Sequence, residues 1–307
     1  MKPISVHHAH KSYGAKEAVK GISFEVDEGL LFGLIGPDGA GKTTIFRILT
    51  TLLKPDKGEA LVLGLDVVDD YRQIRKHVGY MPGRFSLYQD LSVEENVAFF
   101  ASVFGTTIDA NYDLIEPIYS QLEPFKDRLA GALSGGMKQK LALSCALIHK
   151  PEVLFLDEPT TGVDAVSRKE FWQMLHRLKE ENITILVSTP YMDEAEQCDR
   201  VALMQDGQIL SIDTPERITK TFHNQLWAIK TENKYQLIQL LRSYEYAESV
   251  QPFGEYVHYT DKREEVQAEH IMEYLKSKGV INPTVVAIAP DIEDTFMRLM
   301  EQEETYE

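Results

Sequence analysis

Only two cysteines occur in the 307 residues, Cys145 and Cys198, with no CxxC pair and no histidine spacing that would make a zinc site. A disulfide framework and a structural metal are therefore not indicated, since each needs several ligands at regular intervals. The two thiols read as ordinary core or partly buried residues. Long apolar runs are missing as well: no stretch approaches the roughly 18–20 uninterrupted apolar residues that a membrane helix needs. The opening MKPISVHHAHKSYG lacks the apolar core of a signal peptide, so a cytoplasmic protein is expected, one that meets a membrane only through a protein partner. Positive charge is scarce, with 32 Lys and Arg against 48 Asp and Glu and a formal net charge of -16. That balance repels nucleic-acid backbones and anionic lipid headgroups, because both are held by Lys and Arg neutralising phosphates. No internal repeat or low-complexity segment occurs; only the terminal EQEETYE reads as an acidic, frayed tail.

What is present suffices for two folded units. The chain is 43% hydrophobic and longer than the usual domain of about 100–200 residues. ISVHHAHKSYG, AVKGISFEVDEG and LLFGLIGPDGAG read as strands ending at glycines, and the third runs straight into KTTIFRILTTLL, with apolar residues at helical spacing. EALVLGLDV reads as another strand. Ser92 and Glu95 form a capping box that opens a mostly helical segment over about 92–150, with a break near GALSGG. EVLFLDEP and ITILVSTP are continuous apolar runs between helices, the pattern of buried parallel strands. VALMQDGQILSID is a hairpin about Asp206-Gly207, and Thr214 with Pro215 starts a helix. The first domain, of α/β class, is expected over 1–222. Residues 223–307 read as β-α-β-β-α-β plus a closing helix, a small α+β unit of ferredoxin-like pattern.

Gly36, the four residues Pro37, Asp38, Gly39 and Ala40, then Gly41, Lys42, Thr43 and Thr44 satisfy the phosphate-loop pattern between a strand and a helix. Glycines let successive N–H groups point at a β-phosphate, and the helix N-terminus adds positive potential. Lys42 bridges β- and γ-phosphates, and the Thr43 hydroxyl ligates Mg²⁺. The rival reading, a glycine-rich turn with an exposed lysine, does not explain the flanking strand and helix. VLFLDEP is the natural second half, with Asp157 at the strand end to hold the Mg²⁺ shell and Glu158 beside it to orient an attacking water. Its rival, a carboxylate pair that merely caps a helix, leaves the phosphate loop without a partner.

LSGGMKQKLAL, together with GPDGAGKTT and VLFLDEPTTGVD, resembles the nucleotide-binding subunits of ABC transporters. YMPGRFSLYQDLSVEENV and DEAEQCDRVALM narrow the likeness, which covers roughly residues 1–220, to the ATPase subunits of ABC-2-type exporters of the multidrug-efflux or drug-resistance branch; DIEDTFMRLM resembles that branch's closing helix. The resemblance implies a P-loop NTPase core of ABC ATPase type, with a helical subdomain and an antiparallel β subdomain. It implies ATP and Mg²⁺ as ligands, an ABC-2-type transmembrane permease as partner, and a head-to-tail dimer with a second ATP-binding subunit. In that dimer Leu133, Ser134, Gly135, Gly136 and Gln139 would complete the partner's ATP site, Tyr13 would stack on adenine, and Asp164 would belong to a loop communicating across the interface. For Tyr13, a plain edge-strand aromatic is the competing reading.

Two positions depart from the family. Gly83 stands where a glutamine follows Y-x-P, and Pro190 stands where a histidine follows S-T. Neither has a side-chain donor. A slow or asymmetric ATPase is expected. Gln89 is a substitute donor or a solvent-facing loop residue, and Arg84 a permease contact or an unpaired loop arginine. His8 and His10 would share one strand face in HHAH, but without further ligands a solvated strand end is the better reading. FFASVFG and IMEYL read as core stripes, and an exposed part of the helical region around 85–125 as a place for a coupling helix. Two rival functions remain: a low-activity nucleotide clamp paired with a more active subunit, and a soluble ABC protein of translation or DNA repair. The single ATP-binding unit and the acidic charge oppose the second.

Overall fold

A computed structural model describes residues 2–306. The chain divides into two compact units between Pro215 and Glu216. In the first, β1 (Ile4–Tyr13) and β2 (Lys16–Val26) form an antiparallel hairpin. The buried β3 (Leu31–Ile35) leads through the glycine loop into α1 (Lys42–Leu49). β4 (Lys57–Val62) pairs with β1, and β5 (Leu65–Asp66) with β4. EALVLGLDV is thus a tight hairpin rather than one strand, because Leu63 and Gly64 both take positive φ. α2 (Tyr71–His77) and β6 (Val78–Met81) lead to the helical part: α3 (Val93–Val103), α4 (Tyr112–Tyr119) and α5 (Gly135–Leu147). The capping box forms, with Ser92 Oγ accepting from Glu95 N–H and Glu95 accepting from Ser92 N–H at 2.7 Å. β7 (Val153–Asp157), α6 (Ala165–Glu180), β8 (Thr184–Thr189), β9 (Arg200–Gln205) and β10 (Gln208–Asp213) complete the unit.

Among the described residues the first unit has two sheets. One is antiparallel in the order β2-β1-β4-β5; the other runs β10-β9-β3-β8-β7-β6 and is parallel except for β10. β3, β7 and β8 are buried at every residue, as continuous apolar runs require in a sheet covered on both faces. Phe24 stacks on Phe32 at 5.7 Å to join the sheets, and Phe46 meets Phe155 edge-on at 6.2 Å to seat α1 on β7. In register, Ile35 lies beside Thr189 and Asp157 beside Ser188, so three strands deliver their carboxyl ends to one edge. Both cysteines are buried and free, and burial pushes their thiols well above the ordinary range.

The HHAH segment departs from simple alternation. His8 takes φ 45° and the pairing slips between Val6 and Ala9, a bulge that buries both of those residues. His8 and His10 both flank the buried Ala9: His8 N–H donates to Ser23 Oγ at 2.8 Å, His10 bonds Glu17 at 2.8 Å, and His7 bonds Ser5. No group of three potential metal ligands from His, Cys, Asp and Glu occurs among the described residues.

The second unit begins ahead of the 222/223 boundary read from the sequence, because Phe222 packs beneath the Arg298 guanidinium at 5.0 Å. The short α7 (Pro215–Thr219) spans the junction. β11 (Leu226–Lys230), α8 (Lys234–Arg242), β12 (Ala247–Phe253), β13 (Tyr256–Asp261), α9 (Ala268–Ser277), β14 (Thr284–Ile288) and α10 (Ile292–Tyr306) follow. The sheet is antiparallel in the order β12-β13-β11-β14. Ile229, Val257 and Tyr259 pack with Leu237, Leu241 and Ile271 of α8 and α9 into a separate core. α10 continues through Tyr306, so the acidic tail is helical rather than frayed up to that residue; Glu307 lies outside the described residues.

Candidate nucleotide-binding site

The loop from Gly36 to Lys42 is shaped by what its glycines avoid. A Cβ on Gly36 would stand 2.2 Å from Met204 O, and one on Gly41 would stand 2.4 Å from Ala18 O with φ at +103°. Only glycine passes through these two gaps without moving backbone. Ala40 is buried, with its carbonyl accepting from Gly207 N–H at 3.1 Å, while Asp38 and Gly39 are exposed. Lys42 is only 3% exposed, an uncommon place for a lysine unless it is paired. Its Nζ donates to Gly36 O at 2.8 Å and Pro37 O at 3.0 Å, and lies 3.3 Å from Glu158 Oε1. The ammonium thus makes two hydrogen bonds to loop carbonyls and one ion pair, contacts that a phosphate oxygen can replace. Thr44 is buried in the first turn of α1.

Across the sheet edge, Thr43 Oγ1 donates to Asp157 Oδ1 at 3.2 Å, and Ser188 Oγ donates to the same oxygen at 2.7 Å. Ser188 Oγ also accepts from Glu158 N–H at 2.9 Å, so one hydroxyl aligns both acidic residues. Glu158 takes φ 51°, which turns the chain sharply out of β7. Burial, and then the nearby Asp157 charge, push the Tyr80 hydroxyl up to about 12. The Thr43 hydroxyl and Asp157 carboxylate form an all-oxygen donor pair, the chemistry that a hard divalent cation such as Mg²⁺ accepts.

Residues not singled out in the sequence complete the edge. Glu194 is buried and accepts from Thr160 Oγ1 at 2.7 Å and from Thr189 Oγ1 at 2.5 Å. Thr189 Oγ1 also accepts from Tyr191 N–H at 3.1 Å, which brackets Pro190, and Arg168 lies over the Tyr191 ring at 4.6 Å. Ser188 had a legible signal, a small polar residue near the end of an apolar run, although its register beside Asp157 is set by the sheet. Glu194 had none, since its partners lie 34 and 5 residues away.

Gly83 runs against the backbone of Asp157; a Cβ there would stand 2.9 Å from the Asp157 main-chain O and 3.7 Å from Glu158 Cβ. Gln89 is exposed and its carbonyl accepts from Gly131 N–H at 2.9 Å, which ties it to the helical part rather than to this edge. Arg84 is exposed too. Tyr13 ends β1 opposite Lys16 and is 45% exposed.

The segment around Ser134 forms a second feature. Leu133 is buried, and Ser134 caps α5 by accepting from Met137 N–H at 3.3 Å. Gly135 and Gly136 lie against Gly162 and Ser167, where a Cβ on Gly136 would meet Ser167 Oγ at 2.7 Å. Gln139 is half-buried on α5. Asp164 caps α6 by accepting from Val166 and Ser167 N–H, and the Ser167 bonds hold its carboxyl below the usual carboxylate range. Among the described residues, no hydrogen bond or ion pair joins 133–139 to 36–44.

A buried loop lysine paired with Glu158, followed by a threonine bonded to the aspartate that ends a parallel strand, defines a P-loop nucleotide-binding protein. Residues 19–161 match the ABC transporter family. Over 298 residues the chain is 36% identical to the Nod factor export ATP-binding protein I of Rhizobium sp. (strain N33), covering 95% of each. This chain therefore belongs to the ATP-binding proteins of the ABC transporter family. It is also 48% identical over 208 residues to the probable multidrug ABC transporter ATP-binding protein YbhF of Escherichia coli (strain K12). That match takes in 67% of this chain and only 36% of the relative, so the chain spans about a third of that relative's length. Among solved structures, cbiO1 from Clostridium perfringens, part of the ABC transporter complex cbiONQ, has a TM-score of 0.64 at 26% identity, covering 71% of this chain and 91% of its own. The dimeric structure of MJ0796, a bacterial ABC transporter cassette, has 0.63 at 25%, covering 69% and 98%.

Proposed function

We propose that this chain is the ATP-hydrolysing subunit of an ABC-2-type exporter, closing as a dimer on ATP and driving a separate permease. The observation that carries this reading is the ion pair of Lys42 with Glu158 beside the Asp157–Thr43 oxygen pair. A bound γ-phosphate competes for Lys42 Nζ, which releases the Glu158 carboxylate to hold and polarise a water. Thr43 and Asp157 would hold Mg²⁺, which would supply charge neutralisation between the β- and γ-phosphates. Tyr13 is exposed where it can stack on an adenine. The Ser134 segment, unjoined to this chain's own phosphate loop, would serve the ATP of a second subunit, with Asp164 at the same interface; the dimeric cassette among the structural relatives supports this arrangement.

Among the described residues no helix is long and apolar enough to cross a membrane, so the permease is a separate partner in this reading and the chain sits on its cytoplasmic side. A groove of about 550 Å³ beside β6, lined by Leu52, Tyr80, Met81, Phe100, Val103 and Phe104, suits an apolar permease segment. The C-terminal unit, ferredoxin-like in its strand order, serves as an accessory module with a regulatory or dimer-stabilising role.

Gly83 and Pro190 favour a second reading, a clamp that binds ATP and fires slowly. Losing one donor to the transferring group costs on the order of 10²–10³ in rate. Phosphate release from Mg-ATP, measured against protein concentration for the parent and for Glu158→Gln, separates the two. Turnover that rises steeply with concentration and vanishes in the variant supports the ATPase. Nucleotide binding with no turnover above the variant leaves the clamp.

A further inference from the structure

The C-terminal unit holds a cavity of about 410 Å³, formed where α10 crosses the sheet face turned away from α8 and α9. Its size falls in the range of small-molecule sites, about 300–1,000 Å³. Along β13, Val257 and Tyr259 face the core while the alternate residues His258 and Thr260 line the cavity. We propose that this cavity binds an uncharged planar aromatic molecule carrying a hydroxyl at one end and a carbonyl oxygen at the other. The site shares no residue with the nucleotide site and is independent of the ATPase reading.

The wall suits a flat body. Phe253 stacks on His258 at 4.2 Å with planes 10° apart, and Phe222, Leu226, Pro252 and Met297 add hydrocarbon around them. Two nitrogens then call for the ligand's oxygens. His258 Nδ1 lies 2.5 Å from Asp294 Oδ1, the pair only 7% and 8% exposed, so the ring is held with its Nδ1 hydrogen on the carboxylate. Nε2, on the other side of the ring, has no partner among the described residues and is not sealed from solvent. It accepts a hydrogen bond when the ring is neutral and donates one when it is charged; a hydroxyl, donor and acceptor at once, answers both states. Arg298 lies over Phe222 at 5.0 Å with its Nη1 buried and without an acceptor. Buried donors of this kind are rare in native proteins, and a carbonyl oxygen satisfies one. Asp294 and Arg298 stand one turn apart on α10, so the two contacts fall at separate points and the ligand's oxygens must be apart as well. Charge does not make the choice. Asn224 donates to Glu248, Ser249 and Gln251 donate to Glu301, Asp294 pairs with His258, and Glu293 and Glu301 have partners of their own. With those carboxylates engaged and a guanidinium among them, the lining favours neither a cation nor an anion, and an uncharged ligand enters with the least desolvation.

The test uses the full chain without nucleotide, isothermal titration calorimetry, and three naphthalenes in buffer well below the usual phenol pKa of about 10. They are 6-acetyl-2-naphthol, 2-acetylnaphthalene, which lacks the hydroxyl, and 2-naphthol, which lacks the carbonyl. The expected result is saturable binding of one 6-acetyl-2-naphthol per chain, at least about fivefold tighter than either relative, as the loss of one hydrogen bond predicts. Arg298→Leu should weaken 6-acetyl-2-naphthol to the level of 2-naphthol and leave 2-naphthol unmoved. His258→Asn, which keeps a donor for Asp294, should weaken it to the level of 2-acetylnaphthalene and leave that probe unmoved. A merely structural role for either side chain would weaken all three probes alike. Met297→Trp, which fills the cavity, should abolish binding; where a variant does not fold, the three probes on the parent chain still decide. Equal binding of the three, a parallel loss of all three in Arg298→Leu and His258→Asn, binding that survives Met297→Trp, or no saturable binding would each overturn the proposal. Phosphate release by the same preparations reports separately on the nucleotide site.

Discussion

Replacing Ser188 by alanine removes one hydroxyl that serves two acidic residues. Ser188 is fully buried; its Oγ donates to Asp157 Oδ1 at 2.7 Å and accepts from Glu158 N–H at 2.9 Å. Glu158 N–H retains Ser188 O at 3.1 Å, and Asp157 retains Thr43 at 3.2 Å, so the amide stays satisfied and the carboxylate loses its shorter bond. A hydrogen bond to a charged group contributes about 1.5–3 kcal/mol, which sets the expected destabilisation at about 2 kcal/mol. For a unit of this size, Tm falls by about 2–4 °C per kcal/mol, giving a drop of about 4–8 °C. Because the same hydroxyl orients a metal-binding carboxylate, turnover should fall about 10–100-fold, while ATP affinity, carried by Lys42 and the loop, changes little. Thermal melts and steady-state phosphate release on Ser188→Ala measure both quantities. A variant that melts within about 1 °C of the parent and turns over at its rate would show that Ser188 does not align the pair.

Gly41→Ala places a Cβ 2.4 Å from Ala18 O at a residue with φ +103°, so calorimetry should find nucleotide binding lost while the far-UV spectrum is retained. Tyr13→Ala should raise the ATP Kd about fivefold or more without moving Tm, since base stacking contributes about 1–3 kcal/mol and the ring is exposed; an unchanged Kd would make Tyr13 a plain edge-strand aromatic. His149 is held neutral in the fold, its pKa lowered from 6.5 by burial, with Nε2 on Val78 O at 3.0 Å and its ring stacked on Phe104 at 3.7 Å. Its folded pKa is the lower one, so the unfolded chain takes up the proton first. Stability is therefore full above pH 6.5 and falls as pH drops below it, until the folded pKa is reached. Melts across that window should show the decline in the parent and a shallower one in His149→Gln.

Much of the site was readable because its parts are contiguous. The phosphate loop, the Asp157-Glu158 pair and the Ser134 segment each declare themselves within a dozen residues, with the strand or helix that presents them. The Ser92 capping box was legible for the same reason: its two bonds span three residues. Readings failed where a local backbone choice broke the period. The bulge between Val6 and Ala9 left no mark in the alternation, and EALVLGLDV was counted as one strand although its Leu63-Gly64 turn makes a hairpin.

By itself the sequence determined the chemistry on offer: which residues bring charge, which glycines permit close passage, and which apolar runs must be buried. Tertiary structure alone decided who meets whom. Ser188 bridges Asp157 and Glu158 because β7 and β8 are parallel neighbours in a particular register, and Glu194 reaches Thr160 because the chain between them folds back on itself. The cavity under α10 exists because that helix crosses the polar face of an antiparallel sheet. Such contacts are long-range, so their partners are selected by burial and strand order, which no local window of residues carries.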